Sequence, residues 1–241
     1  MNIIKSYGIC CCRQSMIDGI EILLIKKTVT YNFCEFVHGR YKKYNAEHLI
    51  KLFSGMTFFE KKDILSLNFS LMWYRVYNNY PEKTGMSSTY LKKKNKFEIS
   101  FLHDSGILLN KLINGTINVD TIWEIPKGRK DFYESDIETA IREFTEETNI
   151  EEAKYKLELR IKPYIETFID FGITYQNIYY YATAVSTWEP NDKFNNKQTD
   201  EISDIKWTSI NRIKQLKYET KSAYNRNIKK YKKIIKRYQN G

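Results

Sequence analysis

Two segments at the start of the chain, residues 3 to 12 and 20 to 27, have the apolar content and short length of strands. The second reads IEILLIKK, a short apolar run of the kind that forms a buried strand. Asp18-Gly19 lies just before it and is typical of a hairpin turn. The pattern therefore predicts that the chain opens with two neighbouring β-strands.

The spacing of apolar residues changes from about residue 41 to residue 113, where they recur three and four positions apart, as along one face of a helix. Thr57-x-x-Glu60 forms a capping box ahead of one such run. Another run continues until Pro81, which should end it. This stretch predicts a block of helices that interrupts the strands.

Strands and helices alternate in the rest of the chain, and in the last helix the apolar residues step by four, three, four and three. The predicted elements are a strand at 120 to 126, a helix at 135 to 148, strands at 163 to 171, 175 to 186 and 201 to 207, and a helix from 224 to 238. We therefore expect a mixed α/β domain formed by residues 1 to 37 and 115 to 241. An α-helical insertion, residues 38 to 114, follows its second strand.

The chain has a formal net charge of +10, and its positive charge is unevenly distributed. Residues 40 to 98 contain twelve Lys and Arg against five Asp and Glu, and residues 212 to 241 contain eleven against one. Such segregation favours an anionic partner, because phosphate backbones release counterions when they bind a basic surface. Lysine-rich helix faces can also be merely solvated. The candidate RNA contacts are Lys92, Lys93, Lys94 and Lys96 in the insertion and Lys229, Lys230 and Lys233 in the last helix.

The spacing of the four cysteines, Cys10, Cys11, Cys12 and Cys34, suits neither a disulfide framework nor a zinc site. Three of them lie in the first predicted strand, so we expect buried thiols and a reducing, intracellular compartment. No segment approaches the ~18 to 20 consecutive apolar residues that span a membrane. We therefore expect a cytoplasmic protein without a membrane partner.

The most specific feature is the segment from residue 128 to 150, GRKDFYESDIETAIREFTEETNI. Glu143, Glu146 and Glu147 lie at i, i+3 and i+4, so three carboxylates share one helical face. Such a cluster repels itself unless a cation binds, and hard divalent ions such as Mg²⁺ or Mn²⁺ prefer oxygen ligands. Bound there, they would polarise a phosphate and lower the pKa of a bound water. The segment therefore predicts a metal-dependent site for phosphate chemistry.

In this segment the chain resembles the Nudix hydrolases, whose motif is G-x5-E-x7-R-E-U-x-E-E-x-G-U, with U an apolar residue. The resemblance implies an α/β/α sandwich with a mixed sheet. It also implies that Glu134 and Arg142 hold the metal-binding carboxylates in place. Asn149 stands where the family has Gly, but Asn is the next-best residue for a left-handed helix end, so we expect activity to be retained. The matching positions are Gly128, Glu134, Arg142, Glu143, Phe144, Glu146, Glu147 and Ile150.

Outside the motif, the chain resembles the mRNA-decapping Nudix enzymes of African swine fever virus and other large DNA viruses. The resemblance rests on EFVHGRY, HLIKLFSGMT, MWYRV, WEIPKGR and AIREFTEET, and it includes the helical insertion. It implies that capped RNA is hydrolysed to 7-methylguanosine diphosphate and 5′-monophosphate RNA, in the host-cell cytoplasm or the virion. One alternative is a hydrolase of diphosphoinositol polyphosphates or dinucleotides. Another is an RNA-binding protein without catalysis, which the intact glutamates disfavour.

Several roles in the site stay open at this point. The resemblance suggests Glu201, in TDEISDIKW, as the general base, with Glu147 as the alternative and Glu143 as a further catalytic residue. The groups expected to bind the scissile phosphates are Lys127, Gly128, Arg129 and Lys130. A methylated cap base needs an aromatic face. Trp207, Tyr175, Tyr179 and Phe168 are available, and their pattern in the sequence does not rank them. The oligomeric state is likewise undetermined by the sequence.

Overall fold

The computed structural model describes residues 3–81, 85–170, 172–190, 201–214 and 221–241, the side chains of 221–226 excepted. The chain divides into two compact units, Met1–Lys26 with Trp123–Gly241, and Lys27–Ile122. Residues 27 to 37 and 115 to 122, which the sequence pattern assigned to the α/β domain, therefore belong to the second unit. The reason is packing: Phe33 and Phe36 lie in the core of the second unit, and the Val119 N–H donates to the Met56 carbonyl at 3.1 Å.

The secondary structure of the described residues follows the predicted alternation. The strands are β1 (Ile3–Ser15), β2 (Gly19–Lys27), β3 (Trp123–Glu124), β4 (Lys127–Gly128), β5 (Tyr155–Leu157), β6 (Tyr164–Asp170), β7 (Ile173–Ala184) and β8 (Ile202–Ser209). The helices are α1 (Tyr31–Val37), α2 (Ala46–Ser54), α3 (Phe58–Leu65), α4 (Phe69–Tyr77), α5 (Ser88–Phe101), α6 (Ile107–Asn114), α7 (Asp136–Thr148), α8 (Ile210–Ile213) and α9 (Lys221–Gln239).

A mixed sheet forms the centre of the first unit, with β1 as its central strand. β1 pairs antiparallel with β2 and β4, and parallel with β7. β7 also pairs with β5 and β6, while β2 pairs with β3 and β8. The predicted turn between β1 and β2 is confirmed: Ser15 faces Gly19, whose φ of 72° is readily adopted by glycine.

Successive side chains of β1 point to opposite faces of the sheet and enter two different cores. Cys11 packs in a cluster with Phe144 of α7, whereas Cys10 and Cys12 pack in a cluster with Tyr231 of α9. All three cysteines are fully buried, as expected, and burial raises the pKa of the Cys11 and Cys12 thiols. Because helices cover both faces, the expected α/β/α sandwich with a mixed sheet is confirmed.

The second unit is the expected helical insertion, and its core is strongly aromatic. The ring of Phe36 lies 5.1 to 6.1 Å from those of Tyr41, Phe53, Phe97 and Phe101. The predicted capping box is present at the start of α3. Among the helices of the described residues, none is long and apolar enough to cross a membrane.

Three local expectations were wrong. α4 ends at Tyr77, before Pro81, because Asn78 adopts a left-handed conformation with φ 46°. The strand expected at 120 to 126 is reduced to β3, which has only two residues. α5 was not predicted, since its lysine run hides the helical spacing of its few buried aromatic residues.

Candidate active site

Helix α7 carries the motif, and local capping fixes both of its ends. The Ser135 hydroxyl accepts the Glu138 N–H at 3.3 Å, and the Glu138 carboxylate accepts the Ser135 N–H at 2.7 Å, which is a capping box. At the other end Asn149 has φ 56° and ψ 29°, and its N–H donates to the Thr145 carbonyl at 2.8 Å. The expectation that Asn149 adopts the left-handed conformation is therefore confirmed.

Arg142 connects the carboxylates on the exposed side of α7. Its guanidinium donates to both oxygens of Glu134, at 2.6 and 3.1 Å. It also donates to Glu143 at 2.9 Å, to Glu146 at 3.0 Å and to the carbonyl of Arg129 at 2.9 Å. The planar fork of an arginine suits such multiple recognition, because its five N–H groups point in fixed directions.

The Glu134–Arg142 pair is further fixed by its neighbours. The hydrogen bond from Arg142, with those from the Asp131 N–H and the Thr139 hydroxyl, lowers the pKa of Glu134 to about 2. The same pairing raises the pKa of Arg142 above its ordinary value. Glu134 is therefore ionised throughout the neutral range, and it ties the loop before α7 to the middle of the helix.

Strand β4 positions the two other motif carboxylates. A Cβ on Gly128 would overlap the carboxylate of Glu143, so only glycine allows this close approach. The adjacent Lys127 N–H donates to Glu147 at 2.8 Å, and Glu147 is only 5% exposed. Pairing of β4 with β1, through Gly128 and Tyr7, holds this edge of the motif on the sheet.

Glu143, Glu146 and Glu147 share one helix as expected, but their side chains turn toward different neighbours. Arg142 contacts Glu143 and the exposed Glu146, while Glu147 turns to the backbone of β4. Among the described residues, no three acidic, His or Cys side chains are gathered closely enough to hold a metal ion. The donor chemistry nevertheless fits a hard divalent cation, since all three groups offer carboxylate oxygens.

The basic residues expected to bind phosphates lie at the start of the motif, and two of them form ion pairs. The Nζ of Lys127 lies 2.5 Å from Glu124, and that of Lys130 lies 2.9 Å from Asp136. Arg129 is exposed. Their role toward phosphate stays a prediction.

Glu201 is exposed and directly precedes β8. The next residue, Ile202, is buried in the cluster that contains Ala140 and Phe144 of α7. The strand that follows Glu201 therefore packs in the same core as α7. Its role as general base stays a prediction.

The structure corrects one of the RNA-binding residues and qualifies another. Lys230 is 8% exposed, with its Nζ 3.5 Å from Glu166, so the expectation that it contacts RNA was wrong. Burial lowers its pKa, against the opposing effect of Glu166. Lys96 donates to the carbonyls of Gly39 and Tyr41, at 2.5 and 2.9 Å, and so stabilises the second unit.

The remaining candidate lysines are available at the surface. Lys92, Lys229 and Lys233 are exposed, and Lys93 and Lys94 are partly exposed. On α9 the exposed lysines lie opposite Tyr231 and its buried neighbours, so the amphipathic pattern expected for this helix is present.

The aromatic candidates for cap binding are poorly placed. Trp207 and Tyr179 are 4% and 1% exposed, so neither offers a face to a ligand. Phe168 and Tyr175 are half-buried and stack on each other at 5.4 Å.

Sequence reasoning missed two other aromatic residues, Phe132 and Tyr133, which are 85% and 94% exposed inside the motif. Their position in a polar loop, away from any apolar period, was a usable signal. Tyr133 lines an open depression of about 830 Å³ on the outer side of α7. The other lining residues are Glu134, Glu138, Ile141, Arg142, Thr145, Glu146 and Glu152.

The fold and the motif agree with a comparison against known families, in which the NUDIX domain matches residues 101–230. The chain belongs to the Nudix family of hydrolases, whose members generally use divalent metal ions. It is 35% identical over 222 residues to mRNA-decapping protein g5R of African swine fever virus, covering 89% of this chain and 88% of that protein.

A putative mRNA-decapping protein of Acanthamoeba polyphaga mimivirus is 26% identical over 212 residues, covering 79% of this chain and 58% of the mimivirus protein. Among solved structures, an Ap4A hydrolase of C. elegans aligns with 96% of this chain and 97% of its own. Its TM-score is 0.44 and its identity 14%, a likeness too weak to bear on function. The expected resemblance to the viral decapping branch of the family is confirmed by the first two relatives.

Proposed function

We propose that the protein is a metal-dependent mRNA-decapping pyrophosphohydrolase that releases 7-methylguanosine diphosphate and 5′-monophosphate RNA. The main support is the 35% identity to the decapping protein of African swine fever virus, because it extends over most of both chains. So long a match takes in the helical insertion as well as the catalytic motif. The substrate would be met in the host-cell cytoplasm, where capped mRNA is found.

In this proposal, Glu143, Glu146 and Glu147 bind Mg²⁺ or Mn²⁺. The cation supplies charge that neutralises phosphate oxygens and lowers the pKa of a bound water. Arg142 keeps the carboxylates on one side of α7 through its contacts with Glu134, Glu143 and Glu146. Glu201, or Glu147 in its place, accepts the proton of the attacking water.

RNA beyond the cap would follow the exposed lysines of each unit. Lys92, Lys93 and Lys94 lie on α5, and Lys229 and Lys233 lie on α9. Electrostatic contacts with phosphates hold an RNA in place without reading its sequence. A small dinucleotide or inositol substrate would have no use for such an extended surface, which favours a polymer.

The direct test is to incubate cap-labelled RNA with the protein and Mg²⁺ or Mn²⁺ and to separate the products against standards. We expect 7-methylguanosine diphosphate. Release of the monophosphate instead would contradict the proposed bond, and turnover of a diphosphoinositol substrate but not of capped RNA would favour the small-substrate alternative.

A second test removes charge from α5 while keeping Lys96, because that lysine supports the fold. In the triple variant Lys92→Ala, Lys93→Ala and Lys94→Ala, KM for long capped RNA should rise. The dependence of log affinity on log salt should flatten by about 2, at ~0.7 per lost phosphate contact on a single strand. Hydrolysis of a free cap dinucleotide should not change.

A matched triple variant, Lys154→Ala, Lys156→Ala and Lys162→Ala, removes the same charge from exposed positions of the first unit. Its salt dependence should stay close to that of the wild type. If both variants weaken RNA binding equally, net charge rather than α5 attracts the RNA. If long RNA and the dinucleotide lose activity equally in the α5 variant, α5 has a structural role.

A further inference from the structure

Phe132 and Tyr133 form an exposed aromatic pair inside the catalytic motif. Their rings lie 4.6 Å apart at an interplanar angle of 83°, and both side chains are more than four-fifths exposed. Large aromatic residues in a surface loop bury little area and so add little to the stability of the fold. Neighbouring exposed aromatic rings are, however, well suited to contact a planar ligand.

The backbone at Tyr133 is strained in a way that serves this exposure. The Glu134 N–H approaches the Asp131 carbonyl at 3.4 Å and closes a turn, in which Tyr133 has φ 82°. A positive φ at the third position of such a turn is normally supplied by Gly or Asn. A bulky residue there is an outlier of the kind that clusters at functional sites.

The turn is also rigidly anchored. The Asp131 N–H donates to Glu134 at 3.1 Å, and Glu134 is held by Arg142 through two hydrogen bonds. The aromatic pair is therefore held at one end of the depression on the outer side of α7. Tyr133 and Glu146, one of the expected metal ligands, line the same depression.

The charge around the depression selects against an anion. Four carboxylates line it, and Arg142 is the single basic residue among the lining residues, most of its hydrogen bonds being made to carboxylates. A phosphate would be repelled here, whereas a flat cation would be attracted both by the carboxylates and by the faces of the aromatic rings.

We propose that Phe132 and Tyr133 form a stacking face for the N7-methylated guanine base of the cap, which is planar and carries a positive charge. The inference rests on the proposed decapping function and adds the site of base recognition to it. A base stacked on Tyr133 lies along the same depression as Glu146, so its phosphates reach the carboxylates of α7. These two residues then set the preference for a methylated cap.

The test compares kcat/KM for RNA with a methylated cap and RNA with an unmethylated guanosine cap. In the double variant Phe132→Ala and Tyr133→Gly, kcat/KM for the methylated substrate should fall about tenfold or more, as expected for loss of base stacking. The unmethylated substrate should be affected much less. Tyr133→Phe, which keeps the ring, should retain the preference.

Gly at residue 133 accepts the positive φ, so the double variant should melt no lower than the wild type. A matched control replaces Phe58 and Phe59 with Ala, since this pair in the other unit is also exposed, at 58% and 65%, and also makes an edge contact. The control should keep the preference for the methylated cap.

Equal losses on both substrates would overturn the inference, because the turn would then only support α7. Unchanged kinetics would overturn it as well. A separate measurement, calorimetric affinity for 7-methylguanosine diphosphate against GDP, distinguishes this inference from the proposed function. If the wild type fails to cut capped RNA, decapping is refuted, while equal affinity for the two diphosphates refutes the stacking face.

Discussion

Replacing Gly128 with Ala tests whether catalysis depends on where β4 holds Glu143. A Cβ at this position would overlap the Glu143 carboxylate, and the two would have to separate by more than about 1 Å to reach ordinary contact. A misplacement of that size can cost ~10²-fold in rate, or about 2.7 kcal/mol of transition-state stabilisation. We therefore expect Gly128→Ala to lower kcat on capped RNA by ~10²-fold, and the added volume to lower the free energy of unfolding by roughly 1–3 kcal/mol.

Gly115→Ala is the control, because its added Cβ would meet only the Leu112 and Lys111 carbonyls at 3.7 Å, an ordinary contact. Single-turnover rates on cap-labelled RNA should be measured well below the melting temperature of each variant, so that loss of fold does not count as loss of activity. A folded Gly128→Ala enzyme with wild-type kcat would refute the reasoning, since the position of Glu143 would then be irrelevant to the chemistry.

Three further substitutions test other parts of the site. Glu147→Gln keeps an acceptor for the Lys127 N–H but removes a negative charge, so kcat should fall by at least ~10²-fold at an unchanged melting temperature; normal turnover would exclude α7 from the mechanism. Glu201→Gln should lower kcat far more than the Mn²⁺ affinity obtained from activity titrations, and unchanged kinetics would return the base role to Glu147. Arg142 holds the pKa of Glu134 at about 2 instead of 4.5, so the ionised form adds stability above pH 4.5 that is lost as the pH falls toward 2. The melting temperature of Glu134→Gln should depend less on pH in that window, and an identical profile would contradict the ion pair.

The features that the sequence predicted best are local ones. The capping residue Ser135, the left-handed Asn149 and the order of the carboxylates on α7 are set by residues within a few positions of one another. For the same reason the hairpin at Gly19 and the alternation of Cys10, Cys11 and Cys12 could be anticipated from spacing alone.

The features that were missed depend on contacts between distant parts of the chain. Lys230 has the sequence context of an exposed lysine, and only packing of α9 over the sheet brings it to Glu166. Trp207 is buried beneath Arg13, whose guanidinium lies 4.6 Å from its ring centre. The exposure of Phe132 and Tyr133 depends on the turn before α7, whose conformation a tyrosine does not announce.

The thiols of β1 also make the chain its own probe of unfolding. Cys10, Cys11 and Cys12 are buried in the sheet of the first unit, while Cys34 is partly exposed in the second. Since the thiolate is the form that reacts, and burial keeps the strand thiols protonated and out of solvent, an alkylating reagent can modify them only when the sheet opens. The rate of modification at β1, read by mass spectrometry, therefore measures the opening of the sandwich without any engineered label, while Cys34 reports separately on the helical unit.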